Sequence, residues 1–183
     1  MAYVIKNMPS SAQVGGSDSR QGRALLGQWA QVTRPSAAIN ANASPEIAFR
    51  VFGGRVLVHL LLLEVTVVIG AGAITHKWSG KKLTDGGAAS GTAVDITAAS
   101  ASLANREVGA FLVALGSGAA GIISNAGAGI MTLGRNSFIV PQGEIYSTTG
   151  GADTTGSVRY DIWFQPLDSG AYVVAQPAGT AVI

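Results

Sequence analysis

Between Arg55 and Ile69 the chain runs fifteen residues without a glycine or a proline, although 25 of its 183 residues are glycine. The stretch, RVLVHLLLLEVTVVI, holds eleven Val, Leu or Ile residues, and after Arg55 only His59, Glu64 and Thr66 interrupt them. Such a run has to be buried, and what buries it fixes the architecture. Val56 to Ile74, nineteen residues, has the length of a membrane span. His59 and Glu64 inside it argue against that reading, because ionisable groups are costly in hydrocarbon. Val, Ile and Thr after Glu64 favour a strand. At about 3.3 Å per residue the fifteen residues would cover roughly 50 Å, so a bend is expected near Leu63–Glu64. Apolar residues on both faces before Glu64 predict a strand covered from both sides.

Composition sets the next limit. Charged residues make up 12% of the chain and apolar ones 48%, against an ordinary charged share of about 25%. A free monomer shows water a more charged surface than this, so part of the surface is expected to be covered by other subunits. The net charge is only +2, with +3 carried by residues 1–45 and −1 by the rest. No basic stripe for a nucleic-acid partner is expected from it. Without cysteine, disulfides and thiolate metal sites are excluded. The N-terminal residues have no apolar core of signal-peptide length, so no secretion signal is expected.

Along the chain, residues 1–45 are polar and small, punctuated by Pro9, Gly15, Gly16, Pro35 and Pro45, the composition of an extended N-terminal arm. Within the arm a short helix over Ser19–Ala30 is predicted, with Leu25, Leu26 and Trp29 on one face. From Glu46 the texture is that of strands: Ile47–Phe52, the long run, Thr92–Thr97, Ala110–Leu115, Gly129–Leu133, Asn136–Val140, Gly143–Ser147, Ser157–Gln165 and Ala171–Ala175. Ala71–Gly91 reads as turns around a polar patch, and Ala98–Val108 fits either a helix or a loop. Short strands at close spacing with Gly and Pro between them predict an all-β protein, an antiparallel β-sandwich or jelly-roll-like barrel, over residues 46–176, with a loose tail at 177–183.

Chemical motifs are sparse. Gly116–Gly121, GSGAAG, formally matches a dinucleotide fingerprint, but the glycines that follow do not suit the helix that fingerprint requires. His59 and His76 lack a second ligand at metal spacing. His76 lies in THKW, which reads as a surface loop with a cation stacked on Trp78. No GxSxG is present, and a Ser–His–carboxylate cluster would have to be assembled in space. No catalytic residues, cofactor or metal site are therefore expected. Glu64 needs a partner if buried, with Arg50, Arg55 and Arg159 as candidates. Trp78, Trp163, Tyr146 and Tyr160 could form a sugar-stacking platform, or serve as core or interface anchors.

Two stretches carry a resemblance. FRVFGGRVLVHLLLLEVTVVIG, Phe49 to Gly70, and FIVPQGEIYSTTGGADTTGSVRYDIWFQPLDSGAYVVA, Phe138 to Ala175, resemble small virion structural proteins of tailed bacteriophages, of the capsid decoration (cement) type. The arm and LLLLEVT, where that family often has Gly before Glu64, depart from the pattern. The resemblance implies a non-enzymatic protein at the capsid surface of a virion, a homotrimer whose partners are the major capsid protein and its own copies, with neither nucleic acid nor membrane. Trp29, Arg34, Trp78, Arg159 and Trp163, of residue types enriched at interfaces, are the expected contact residues. The alternative is a receptor- or glycan-binding head or tail appendage, using loops around Trp78 and Thr148–Thr155.

Overall fold

The structure is a computed structural model that describes residues 29–39, 45–84, 93–114, 123–124, 137–151 and 155–181. Its strands are β1 (Ala30–Ala38), β2 (Glu46–Phe52), β3 (Val56–Val67), β4 (Ile74–Lys82), β5 (Val94–Asp95), β6 (Phe111–Ala114), β7 (Ile123–Ser124), β8 (Phe138–Val140), β9 (Gly143–Gly151), β10 (Ser157–Pro166) and β11 (Tyr172–Ala175). None of the described residues is helical, so Ala98–Val108 is a loop, and no helix there is long and apolar enough to cross a membrane.

The strands form two antiparallel sheets. Sheet A has the order β1-β10-β3-β6-β7, with β8 also paired to β3, and sheet B has the order β11-β2-β9-β4-β5. Early and late strands interleave: β1 and β3 flank β10, and β2 and β4 flank β9. Successive strands β1 to β4 thus alternate between the sheets. The corner from β2 to β3 is Gly53–Gly54, where φ is +70° and +133° and an added Cβ on Gly53 would lie 2.3 Å from the Gly170 carbonyl oxygen. Only glycine fits there. Arg55 fastens the same corner by donating through Nε and Nη2 to the Asp168 carboxylate at 2.9 and 2.8 Å.

The apolar run folds as one strand, and its irregularities explain why it showed no alternation. Against β10, His59 and Thr66 are extra residues: Leu60 faces Trp163 while Val58 faces Phe164, and Val67 faces Ser157 while Val65 faces Val158. A bulge shifts the side-chain phase by one residue. Val56 and Val58 point inward before His59, and Leu61, Leu63 and Val65 do so after it. Pairing is continuous through Leu63 and Glu64, so the breaks in the strand lie at His59 and Thr66 and not at the expected bend. The inward residues meet Phe49, Val51, Ile145 and Val173 of sheet B in one shared core. The outward ones, Leu57, Leu60 and Leu62, are only half-buried. This strand is therefore covered on one face, not on both.

Three segments differ from the sequence reading. Ala30–Ala38, expected within the arm, is β1, a sheet A strand paired along β10. Its inward residues are Ala30, Val32 and Arg34, and an arginine in the inward series next to Pro35 hid the period. Ile74–Lys82, read as turns, is β4, with Ile74, His76 and Trp78 inward. Part of its free edge is closed by the following loop: Ile96 and Thr97 donate to the Trp78 carbonyl, Ser100 to that of His76 and Leu103 to that of Ile74. Covering an edge in this way removes a template for unwanted strand pairing. The tail is tied down as far as Ala181: the Ile47 amide donates to the Thr180 carbonyl at 2.8 Å, and Glu46 bridges to Ala181. The helix predicted over Ser19–Ala30, apart from its last two residues, the strand at Gly129–Leu133 and the GSGAAG loop lie outside the described residues.

Candidate functional site

Polar chemistry gathers in two places, one between the sheets and one on the outer face of sheet A. Between the sheets the hub is Tyr160 of β10. Ser147 Oγ of β9 lies 2.9 Å from the Tyr160 hydroxyl and 2.9 Å from His76 Nε2. Trp78 meets the Tyr160 ring edge-on at 5.0 Å and the His76 ring at 4.7 Å. The Arg34 guanidinium lies 4.9 Å from the Tyr160 ring centre, a cation–π contact, and donates to Glu46 Oε1 at 2.9 Å. Glu46 Oε2 accepts the Gly179 amide at 2.8 Å. All six side chains are buried. Burial holds the His76 pKa down to about 3 and pushes Tyr160 up to about 12, so both are neutral at ordinary pH.

Ser147 and His76 stand at the distance of a nucleophile and its base. The rest of a catalytic arrangement does not follow. His76 Nδ1 has no hydrogen-bond partner among the described residues, so no carboxylate there orients the ring. Ser147 has no accessible surface, and an imidazole of such low basicity is a poor proton acceptor. Chemically this group can join two sheets. Its side chains are buried beneath the described residues. Among the described residues, no three His, Asp or Glu side chains are grouped so as to hold a metal ion.

The outer face of sheet A is built by the outward positions of five strands. Trp163 faces Leu60 on β3 and Gln31 on β1, and Asp161 faces Leu62 and Thr33. Leu57 faces Ile139 of β8, and Leu62 faces Val113 of β6. Trp29, at the entrance to β1, stacks on the His59 ring at 4.3 Å with the planes 15° apart. The bulge brings this about: His59, the extra residue of β3, sits outward, where its Nδ1 meets Ser137 Oγ at 3.1 Å. Trp29 remains 48% exposed and Ile139 58%. Beside this apolar ground, Arg159 pairs with both Glu64 and Asp161, the latter at 3.0 Å, and Asp161 also accepts from Thr33 and Gln31. Glu64 thus takes Arg159, while Arg50 pairs with Glu144 and Arg55 with Asp168.

Of the five expected contact residues, Trp29, Arg159 and Trp163 share this face. Arg34 and Trp78 do not: β1 and β4 turn both inward, and they are 2% and 0% exposed. Trp78 is therefore not a surface-loop residue, and with Tyr146 and Tyr160 buried as well the four aromatics form no sugar-stacking platform. Sequence reasoning missed His59, Leu57, Leu60, Leu62 and Ile139 as parts of a surface. The signal for the three leucines was present, since a strand with apolar residues at every position has an outer face needing cover. No protein-family model matches this chain, and no curated protein or solved structure matches it.

Proposed function

We propose that this chain is a non-enzymatic structural protein of a bacteriophage virion, a capsid decoration protein that stabilises the shell through contacts between subunits. The observation that carries the reading is the outer face of sheet A: Trp29, Ile139, Leu57, Leu60, Leu62 and Trp163 stand together on a chain with only 12% charged residues. A contiguous apolar patch with a polar rim is what a protein surface presents to a partner. The resemblance of Phe49–Gly70 and Phe138–Ala175 to decoration proteins names the kind of partner. The interleaved strand order supports a jelly-roll winding, with β11 added beside β2. In this reading sheet A packs against sister copies in a trimer, and the residues ahead of Trp29 make the contact with the shell.

The test is co-sedimentation with empty shells assembled from the capsid protein of the encoding phage. The full chain is expected to bind saturably at physiological salt, and a chain lacking residues 1–28 to keep its oligomeric state but lose the shell. If the truncated chain binds shells as well as the full one, this assignment of roles is wrong. If neither binds, the decoration reading is wrong.

A further inference from the structure

The hub between the sheets contains a titratable group, His76, whose positive charge nothing among the described residues there would balance. His76 projects from β4 into a space closed by Ser147 and Thr149 of β9, Tyr160 of β10 and Trp78 of its own strand. The charged groups associated with this hub are Arg34 from β1 and Glu46 from β2. Glu46 is already engaged on both oxygens, by Arg34 and by the Gly179 amide. Lys77 and Lys81 of β4, with Asp95 of β5 and Glu144 of β9, belong to the opposite side of sheet B. A proton on His76 would place a second cation against the Tyr160 ring that Arg34 already faces, with no free carboxylate among the described residues of the hub to receive it. Burying an unpaired charge is among the most costly changes available to a folded chain.

The same side chain is part of the fastening. Through Ser147 it belongs to the hydrogen-bonded chain His76–Ser147–Tyr160, which crosses from sheet B to sheet A. We propose that His76 is an acid-operated latch: it holds the two sheets together while neutral, and mild acid releases them by charging it. The device acts on the chain's own fold and is independent of the proposed role in a virion.

The sign follows from linkage. The folded-state pKa of His76 lies far below its ordinary value of 6.5, so the stabilisation is complete above pH 6.5 and lost progressively as pH falls from there toward about 3. One proton bound by the unfolded chain alone lowers the folding constant by up to about tenfold per pH unit in that window. Unperturbed carboxylates titrate near pH 4, so between pH 6.5 and 5 the slope belongs mainly to histidine. The chain has only two, His59 and His76.

Denaturant unfolding of the full chain at steps between pH 7 and 5 tests this, with His76→Gln and His59→Gln beside the wild type. Burial lowers the His59 pKa too, so the wild type and His59→Gln are expected to lose folding constant steeply below pH 6.5, and His76→Gln to keep only the smaller slope that His59 contributes. A slope undiminished in His76→Gln overturns the proposal. Should that variant not fold, the ring-proton NMR titration of the folded wild type decides: His76 must stay neutral down to pH 5, and a midpoint near 6.5 overturns the proposal equally.

Discussion

Arg34→Ala is expected to destabilise the fold by about 3 to 5 kcal/mol, the range found when one member of a buried ion pair is removed and the other is left without its partner. The carboxylate left behind is Glu46, which is 6% exposed and would keep only the Gly179 amide. The cation–π contact on Tyr160 is lost with it. The effect reaches both sheets, because Arg34 lies on β1 of sheet A and Glu46 on β2 of sheet B. The double variant Arg34→Met, Glu46→Gln should recover a substantial part of the loss, since no buried charge remains and apolar replacement of such pairs is often nearly neutral. Denaturant midpoints measure both. A loss below about 1 kcal/mol for Arg34→Ala would mean that the pair is in contact with water, as exposed pairs contribute no more than that.

The second large effect concerns association and leaves the fold nearly intact. Trp29→Ala removes a ring that is 48% exposed and stacked on His59. Its cost to the isolated fold should be no more than about 1 kcal/mol, the scale of one aromatic pair. Its cost to self-association should be at least about 2 kcal/mol, or roughly 30-fold, because aromatic anchors at the centre of an interface carry that much. Ile139→Glu, at a position 58% exposed, should act in the same direction by introducing a charge that the contact would have to desolvate. Unchanged unfolding midpoints with weakened association, read by sedimentation velocity across a dilution series, are the expected pair of results. Association unaffected by both variants would remove the outer face of sheet A from the account.

The sequence was most informative where one face of a strand carries polar residues and the other apolar ones. Ser157–Gln165 alternates cleanly, and it is β10 nearly to its ends, because Arg159 and Asp161 mark the outer side and Tyr160 and Ile162 the inner. Alternation failed in β3 for a physical reason: two bulges shift the phase and the outward positions are leucines, so neither face declared itself. It failed in β1 and β4 because their inward positions include Arg34 and His76, which sequence logic assigns to water. A buried polar residue is legible only once its partners are known, and Glu46, Ser147 and Tyr160 lie 12, 71 and 126 positions away from the residues they satisfy. For the same reason the sequence placed only some of the five expected contact residues at the surface. Trp29, Arg159 and Trp163 fall on one surface, while Arg34 and Trp78 belong to the interior network that the surface conceals. The stack of Trp29 on His59 depends on a bulge, which one sequence by itself does not announce.

The native mass of the full-length chain in solution tests the central claim most directly, because in the proposed reading a sister subunit covers the apolar outer face of sheet A. One chain is 18.5 kDa. The account predicts a particle of about three times that mass, falling apart in Trp29→Ala. A single-chain particle that persists at high protein concentration, with the outer face of sheet A left in water, would contradict it.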